Sequence, residues 1–185
     1  MIFREATPAD ARSIANVRIK SGKKAFKSIL PSRFLNLKLD EEENRYKNTL
    51  EESGHEGWCF FVAETTSGEI VGYAYAGYST YRGPKGNQYP HEVSILHEIF
   101  VLPNFKRQKI GIKLFQKVVS CLPADRYSSL VLWALKRTDA ENWYKDLKGE
   151  YLEARGAGLE GFDIDEHSYG WPKLSDLAQL LNQIL

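Results

Sequence analysis

The chain has 185 residues, 43% hydrophobic and 26% charged, which suits one well-solvated domain with a substantial core. Its formal net charge of +1 gives no overall attraction to nucleic acid or to an anionic membrane. No apolar run approaches the roughly 18 residues of a membrane span, and the N-terminus Met1-Ile2-Phe3-Arg4-Glu5 is charged too early for a secretory signal.

A short strand is predicted at 2–6. Thr7-Pro8-Ala9-Asp10 then opens a helix: Thr7 can cap, Pro8 suits the first helical position, and Asp10 meets the N-terminal dipole. Ile14, Val17 and Ser21 continue its inner face, and 32–39 and 41–50 read as further helical pieces. Lys20, Lys23, Lys24 and Lys27 form a basic stretch and residues 40–43 an acidic one, both expected as solvated surface. Strands follow at 58–65 and 69–78, joined by the Ser67-Gly68 turn, with Gly72 and Gly77 marking bulges or close approaches. Residues 81–90 are a Gly- and Pro-containing loop.

A strongly apolar strand is predicted at 92–101 and a helix at 108–122, where Ile112, Phe115, Val118 and Val119 keep helical spacing. Residues 130–135 form another apolar strand. Thr138-Asp139-Ala140-Glu141 is a capping-box pattern in which Glu141 can reach back to the Thr138 amide, opening a helix to about residue 147. Strand-like pieces at 150–154 and 165–170 flank a Gly-rich turn at 156–161, and 174–185 is a terminal helix. The order β-α-α-β-β-β-α-β-α-β-β plus a C-terminal helix lacks strict alternation and predicts a single α+β domain built on a mixed sheet. Cys59 and Cys121 have no metal spacing and no disulfide framework, so both are expected as reduced, partly buried thiols of a cytoplasmic protein. His55, His91, His97 and His167 lack metal-ligand spacing, and no Gly-x-Ser-x-Gly points to a serine hydrolase.

The chemistry concentrates in Leu96-His97-Glu98-Ile99-Phe100-Val101-Leu102-Pro103-Asn104-Phe105-Lys106-Arg107-Gln108-Lys109-Ile110-Gly111-Ile112-Lys113. A buried strand runs through a basic loop into a helix, whose first turn offers unpaired N–H groups and partial positive charge to a phosphate or pyrophosphate. Lys106, Arg107 and Lys109 add charge, and Gly111 lets the backbone approach a ligand. This segment resembles the acyl-CoA-binding segment of the GNAT N-acetyltransferases, whose Gln/Arg-x-x-Gly-x-Gly/Ala pattern begins five residues after a strand-terminal Val, here Val101. Gly111 matches, whereas Lys106 stands for the usual Gln or Arg and Lys109 for the central Gly. Thr138-Asp139-Ala140-Glu141-Asn142-Trp143-Tyr144 is similar to the family's Asn-x-Ala-x-x-Phe-Tyr helix, with Thr138 in place of Asn. The first strand with its helix start, and Tyr169-Gly170-Trp171, are also similar to family members.

The resemblance implies acetyl transfer from acetyl-CoA, without a metal, to a primary amine of a small molecule or peptide by direct attack in a ternary complex. It implies cofactor contacts from Ile99, Phe100, Val101, Lys106, Arg107, Gln108, Lys109, Ile110, Gly111, Ile112, Lys113, Thr138, Asn142 and Tyr144, with a main-chain oxyanion donor near Phe100 or Val101. Tyr144 becomes the proton donor to the leaving thiolate. Glu98 is the candidate base, an unusual carboxylate in an apolar strand, with Glu92 and His97 as rivals. Alternation puts Glu98 on one face with Leu96 and Phe100, opposite His97 and Ile99. Segments 22–52 and 79–91 are expected to shape the acceptor pocket, and analogy with the family implies homodimers. Two alternatives stay open: a different acyl-CoA, or an acyl-CoA sensor of the same fold.

Overall fold

The computed structural model describes residues 1–52, 57–78 and 93–185. Seven strands form one mixed sheet in the order β1-β2-β3-β4-β5-β7-β6. They are β1 (Ile2–Glu5), β2 (Cys59–Glu64), β3 (Ile70–Tyr78), β4 (Ser94–Val101), β5 (Leu130–Leu135), β6 (Glu150–Gly156) and β7 (Asp165–Trp171). The helices are α1 (Ala11–Phe26), α2 (Leu39–Glu52), α3 (Ile110–Cys121), α4 (Asp139–Asp146) and α5 (Leu174–Ile184). The α+β order is the one the sequence predicts.

The β4–β5 pair is parallel and every other pair is antiparallel. Its ladder runs from Ser94↔Leu130 to Leu96↔Leu132 and then ends, although β4 continues to Val101 and β5 to Leu135. The two strands therefore part in the middle of the sheet, and both edges of the gap carry main-chain groups that no ladder satisfies. α3, α4 and α5 pack on one face, where Leu114, Phe115, Val118, Leu177 and Leu181 are buried. On the other face, α1 and α2 bury Ile14, Val17 and Tyr46 against Phe60, Val62 and Tyr73.

Local chemistry moves several boundaries. Within 32–39 the structure has a single 3-10 turn, Ser32–Phe34, and α2 begins at Leu39 with Asp40, Glu41 and Glu42 in its first turn, where carboxylates favour the helix dipole. At the first helix start a 3-10 turn, Pro8–Asp10, precedes α1. Asp10 reaches back to the Thr7 amide at 2.8 Å and also holds Arg4 through both its oxygens. α3 starts at Ile110, not 108, because Arg107 and Lys109 both sit at φ 61°. The predicted loop at 81–90, as well as Glu92, lies outside the described residues.

One expectation is overturned outright. Cys59 and Cys121 are joined in a disulfide that ties the end of α3 to β2, with Cα atoms 5.9 Å apart. They are 62 residues apart in sequence, so local spacing gave no hint of the pairing. The helix–sheet packing brings them together.

Candidate active site

The alternation expected along β4 fails at His97. Tyr75 pairs with Glu98 but the next residue, Ala76, pairs with Leu96, so His97 is the extra residue of a bulge. The inserted residue reverses the facing of the strand beyond it. Leu96, Ile99 and Val101 pack with the α3 side, whereas Glu98 and Phe100 face α1 and α2. Glu98 therefore does not share a face with Leu96. The His97 ring is stacked between Trp58 and Tyr75, with centroids 5.1 and 5.2 Å away. Close packing of this kind also accounts for Gly77, where an added Cβ would strike the Trp58 ring.

Beyond the bulge, the main chain of β4 is divided between neighbours. The Leu102 N–H donates to the Val71 carbonyl at 2.8 Å. Strand alternation then turns the Phe100 N–H toward β3 as well and leaves the Ile99 and Val101 N–H groups aimed into the β4–β5 gap. Of the two oxyanion-donor positions expected, Val101 points into the opening and Phe100 does not.

The loop leading to α3 is exposed. Lys106, Arg107, Gln108 and Lys109 are all solvent-facing. Gln108 donates to the Asn104 carbonyl at 3.3 Å. The Lys113 N–H donates to the Lys109 carbonyl at 3.0 Å, so among the described residues the amides of Ile110, Gly111 and Ile112 have no partner, the arrangement expected of a first helical turn. Lys109 precedes the helix in the left-handed conformation, at φ 61° and ψ 8°. A glycine takes this conformation at no steric cost, whereas for another L-residue it costs roughly 1–2 kcal/mol. The lysine thus adopts a glycine's backbone rather than a helical one, and its Nζ turns away to the carbonyls of Ile184 (2.9 Å) and Leu185 (3.3 Å) at the end of α5. Lys113 lies 5.7 Å from the Phe3 ring centre. A Cβ added at Gly111 would come into ordinary contact with the Trp143 ring, so this side chain of α4 lies close to the start of α3.

On α4, Tyr144 is buried among Trp143, Tyr169 and Trp171, with ring centroids 5.2 to 6.3 Å apart. Its hydroxyl forms no hydrogen bond with a described residue, and burial pushes its pKa well above the ordinary tyrosine value. The helix start differs from the predicted capping box. Glu141 reaches the Arg137 amide at 2.7 Å, not that of Thr138, whose hydroxyl donates instead to the Leu135 carbonyl at 2.8 Å. The reason is that Glu141 is also pulled toward β7, where it meets His167 Nδ1 at 2.6 Å and the Tyr169 hydroxyl at 3.0 Å. Asn142 is exposed.

Glu98 is the centre of the opposite face. Its Oε2 accepts the hydroxyls of Tyr46 (2.5 Å) and Tyr73 (2.6 Å). Its Oε1 lies 3.3 Å from an Arg45 nitrogen and 3.8 Å from Arg18 Nε. Burial, and then the Glu98 charge, push both phenols well above their ordinary pKa, so both remain donors. Sequence reading found Glu98 but none of these partners, because Tyr46 and Tyr73 look like ordinary core aromatics.

Beside this cluster is a cleft of about 430 Å³ between α1, the α1–α2 connection, the end of β5 and the β6–β7 connection. Phe26, Leu30, Phe34, Leu35, Leu37 and Leu159 make it apolar, while Arg18, Lys23, Arg33 and Glu166 bring charge. Arg33 closes one wall by donating to the carbonyls of Glu160 and Gly161, both at 3.2 Å. The early part of segment 22–52 lines this cleft, while segment 79–91 lies outside the described residues. The acidic run 40–43 does not line it. Asp40 and Glu43 pair with Arg12, Glu41 with Lys38, and Glu42 with Arg45.

Comparison with known proteins agrees with this architecture. Residues 56–147 match the acetyltransferase (GNAT) domain family. An uncharacterized N-acetyltransferase, YuaI of Bacillus subtilis, is 28% identical over 97% of this chain and 98% of its own. The PaiA N-acetyltransferase of Thermoplasma acidophilum, solved in complex with coenzyme A, superposes with a TM-score of 0.66 at 14% identity, covering 90% of this chain and 96% of its own. A ribosomal-protein-alanine N-acetyltransferase from Brucella melitensis gives 0.66 at 18% identity, over 92% and 99%. A mixed sheet that parts between β4 and β5, a basic loop opening α3, and a family match across that segment make this chain a member of the GNAT acetyltransferase superfamily.

Proposed function

We propose that the protein transfers an acetyl group from acetyl-CoA to a primary amine of a small molecule or peptide, by direct attack in a ternary complex. The observation that carries this reading is the gap between β4 and β5. A helix start with unpartnered amides lies on one face and an apolar cleft on the other, an arrangement that would let a thioester meet an amine through the sheet. The Thermoplasma neighbour named as a coenzyme A complex supports the choice of donor. The neighbour named for ribosomal-protein alanine supports an amine acceptor.

In this reading the unpartnered amides of Ile110, Gly111 and Ile112, with Lys106 and Arg107 beside them, hold the pyrophosphate. The pantetheine arm lies along Ile99, Phe100 and Val101. The amine nitrogen bonds to the thioester carbon, the C–S bond breaks, and its electron pair leaves on sulfur. The Val101 N–H, fixed in the gap, stabilises the charge that develops on the carbonyl oxygen. Tyr144 gives its proton to the departing sulfur, whose thiol pKa is about 8.5 by analogy with Cys. The amine proton passes to Glu98 through Oε1, the oxygen on the Arg18 side of the carboxylate, while Tyr46 and Tyr73 hold Oε2. Lys109 supports the loop by its backbone and by its tie to α5.

Thermal shift with acetyl-CoA, paired with thiol release over a panel of amines, tests the proposal. The expected result is stabilisation by acetyl-CoA and CoA release that depends on an amine. Stabilisation without release to any amine favours the sensor reading, and the absence of both removes the donor assignment.

A further inference from the structure

Arg18 is the unusual charge in the cleft. Its side chain is only 22% exposed, yet none of its N–H groups hydrogen-bonds a described residue, and its Nε is fully buried without a partner. Its guanidinium lies 4.8 Å from the Phe100 ring centre, on the strand that borders the gap. The nearest carboxylate oxygen, on Glu98, is 3.8 Å from Nε, too far for a hydrogen bond. The neighbouring arginines differ. Arg45 donates to Glu42 and Glu98, and Arg33 donates to two carbonyls.

Burying unmet donors is costly, and a guanidinium presents them in a planar fork that suits a carboxylate. The backbone has been cleared for this placement. Gly22, one helical turn along α1, carries no side chain where an added Cβ would collide with an Arg18 nitrogen. Glycine within a helix costs stability relative to alanine, so the space has a use. The cleft's remaining carboxylate, Glu166, is held by Arg155 at 2.5 Å and does not answer Arg18.

We infer that Arg18 receives a carboxylate of the acceptor, and that the acceptor class is an amine with an apolar body bearing a carboxylate, as in an apolar amino acid. This rests on the transferase reading and deepens it. The apolar walls take the body and the Arg18 fork takes the carboxylate. The nearby Glu98 charge favours a monoanion there over a dianionic phosphate. The cationic lining also disfavours the ammonium form of the bound amine, and only the neutral amine attacks.

The direct test is calorimetry on CoA-saturated protein with N-acetyl-leucine and N-acetyl-leucinamide, which differ only in the carboxylate. The first should bind about tenfold or more tightly, as a charge-assisted hydrogen-bonded pair implies. Arg18→Gln should bring the two affinities together. Gly22→Ala, which removes a helix glycine and displaces the guanidinium, should do the same in a well-folded protein. Equal binding of the two ligands by the wild type would overturn the inference. Thiol release separates the acceptor class from the transferase activity itself. Release with 3-methylbutylamine as efficient as with leucine would reject the carboxylate while keeping the transferase. Release with no amine would reject the transferase, and the calorimetric comparison would still decide the role of Arg18.

Discussion

The two faces of the central sheet are held by different physics. Toward α3, α4 and α5 the sheet is packed with aliphatic and aromatic side chains and fastened by the Cys59–Cys121 disulfide. Toward α1 and α2 it carries a part-buried network of Glu98, Tyr46, Tyr73, Arg45 and Arg18. The first arrangement fixes the start of α3, whose backbone is proposed to hold a phosphate. The second spends stability on polarity, which suits a face that distinguishes one acceptor from another. The bulge at His97 creates the contrast, because it places Glu98 on the polar face and Ile99 on the apolar one.

The covalent fastening on the apolar face carries the largest expected effect. A cross-link closing a 62-residue separation stabilises by roughly 2–4 kcal/mol. A Cys59→Ser, Cys121→Ser double variant should lose that amount in urea denaturation. A loss below about 1 kcal/mol would show that apolar packing holds α3 unaided. Next in size is Tyr144. Tyr144→Phe should lower turnover on the order of 10²-fold, a usual contribution of a positioned acid, with acetyl-CoA affinity unchanged. Unchanged turnover would leave Tyr144 a core aromatic only.

Glu98→Gln removes the charge that two phenols and two guanidinium groups surround, and should cost about 2 kcal/mol of stability. If Glu98 also takes the amine proton, the acidic limb of the pH–rate profile should vanish in the same variant. A limb that survives would reduce Glu98 to an anchor. The smallest effect concerns Glu141. Burial raises its carboxyl pKa, but the Arg137 amide, Tyr169 and His167 outweigh this and hold it below the usual glutamate value. A depressed pKa stabilises the fold above the unfolded-state value, about 4.3, and that stability is lost as pH falls through the folded-state value. Glu141→Gln should therefore lower stability by about 1 kcal/mol at neutral pH, and the gap from wild type should close on acidification. A gap independent of pH would contradict this.

Periodicity and turn chemistry made the strand and helix order legible, including the apolar strand that feeds a basic helix start. The exposed helix start proposed to hold the pyrophosphate was legible for the same reason, since a strand, a loop and a helix contiguous in sequence make it. The proposed acceptor face was less so. It depends on Arg18, Tyr46, Tyr73 and Leu135, which come from four separate elements and converge only in the packed fold. The available signal was local and faint: a glycine inside a helix, Gly22, four residues after an arginine. The disulfide escaped because its cysteines are distant in sequence. The facing of Leu96 was misread because strict alternation has no place for the bulge at His97. Thr138 and Lys109 illustrate a further limit, since the Leu135 carbonyl and the end of α5 engage their side chains.

In the proposed mechanism, donor and acceptor approach from opposite faces and react through the β4–β5 gap without an acetylated enzyme between them. Initial-rate kinetics with acetyl-CoA and an accepted amine varied together test it most directly. The account predicts double-reciprocal lines that intersect, as a ternary complex requires. Parallel lines, the mark of an acetyl-enzyme, would contradict it.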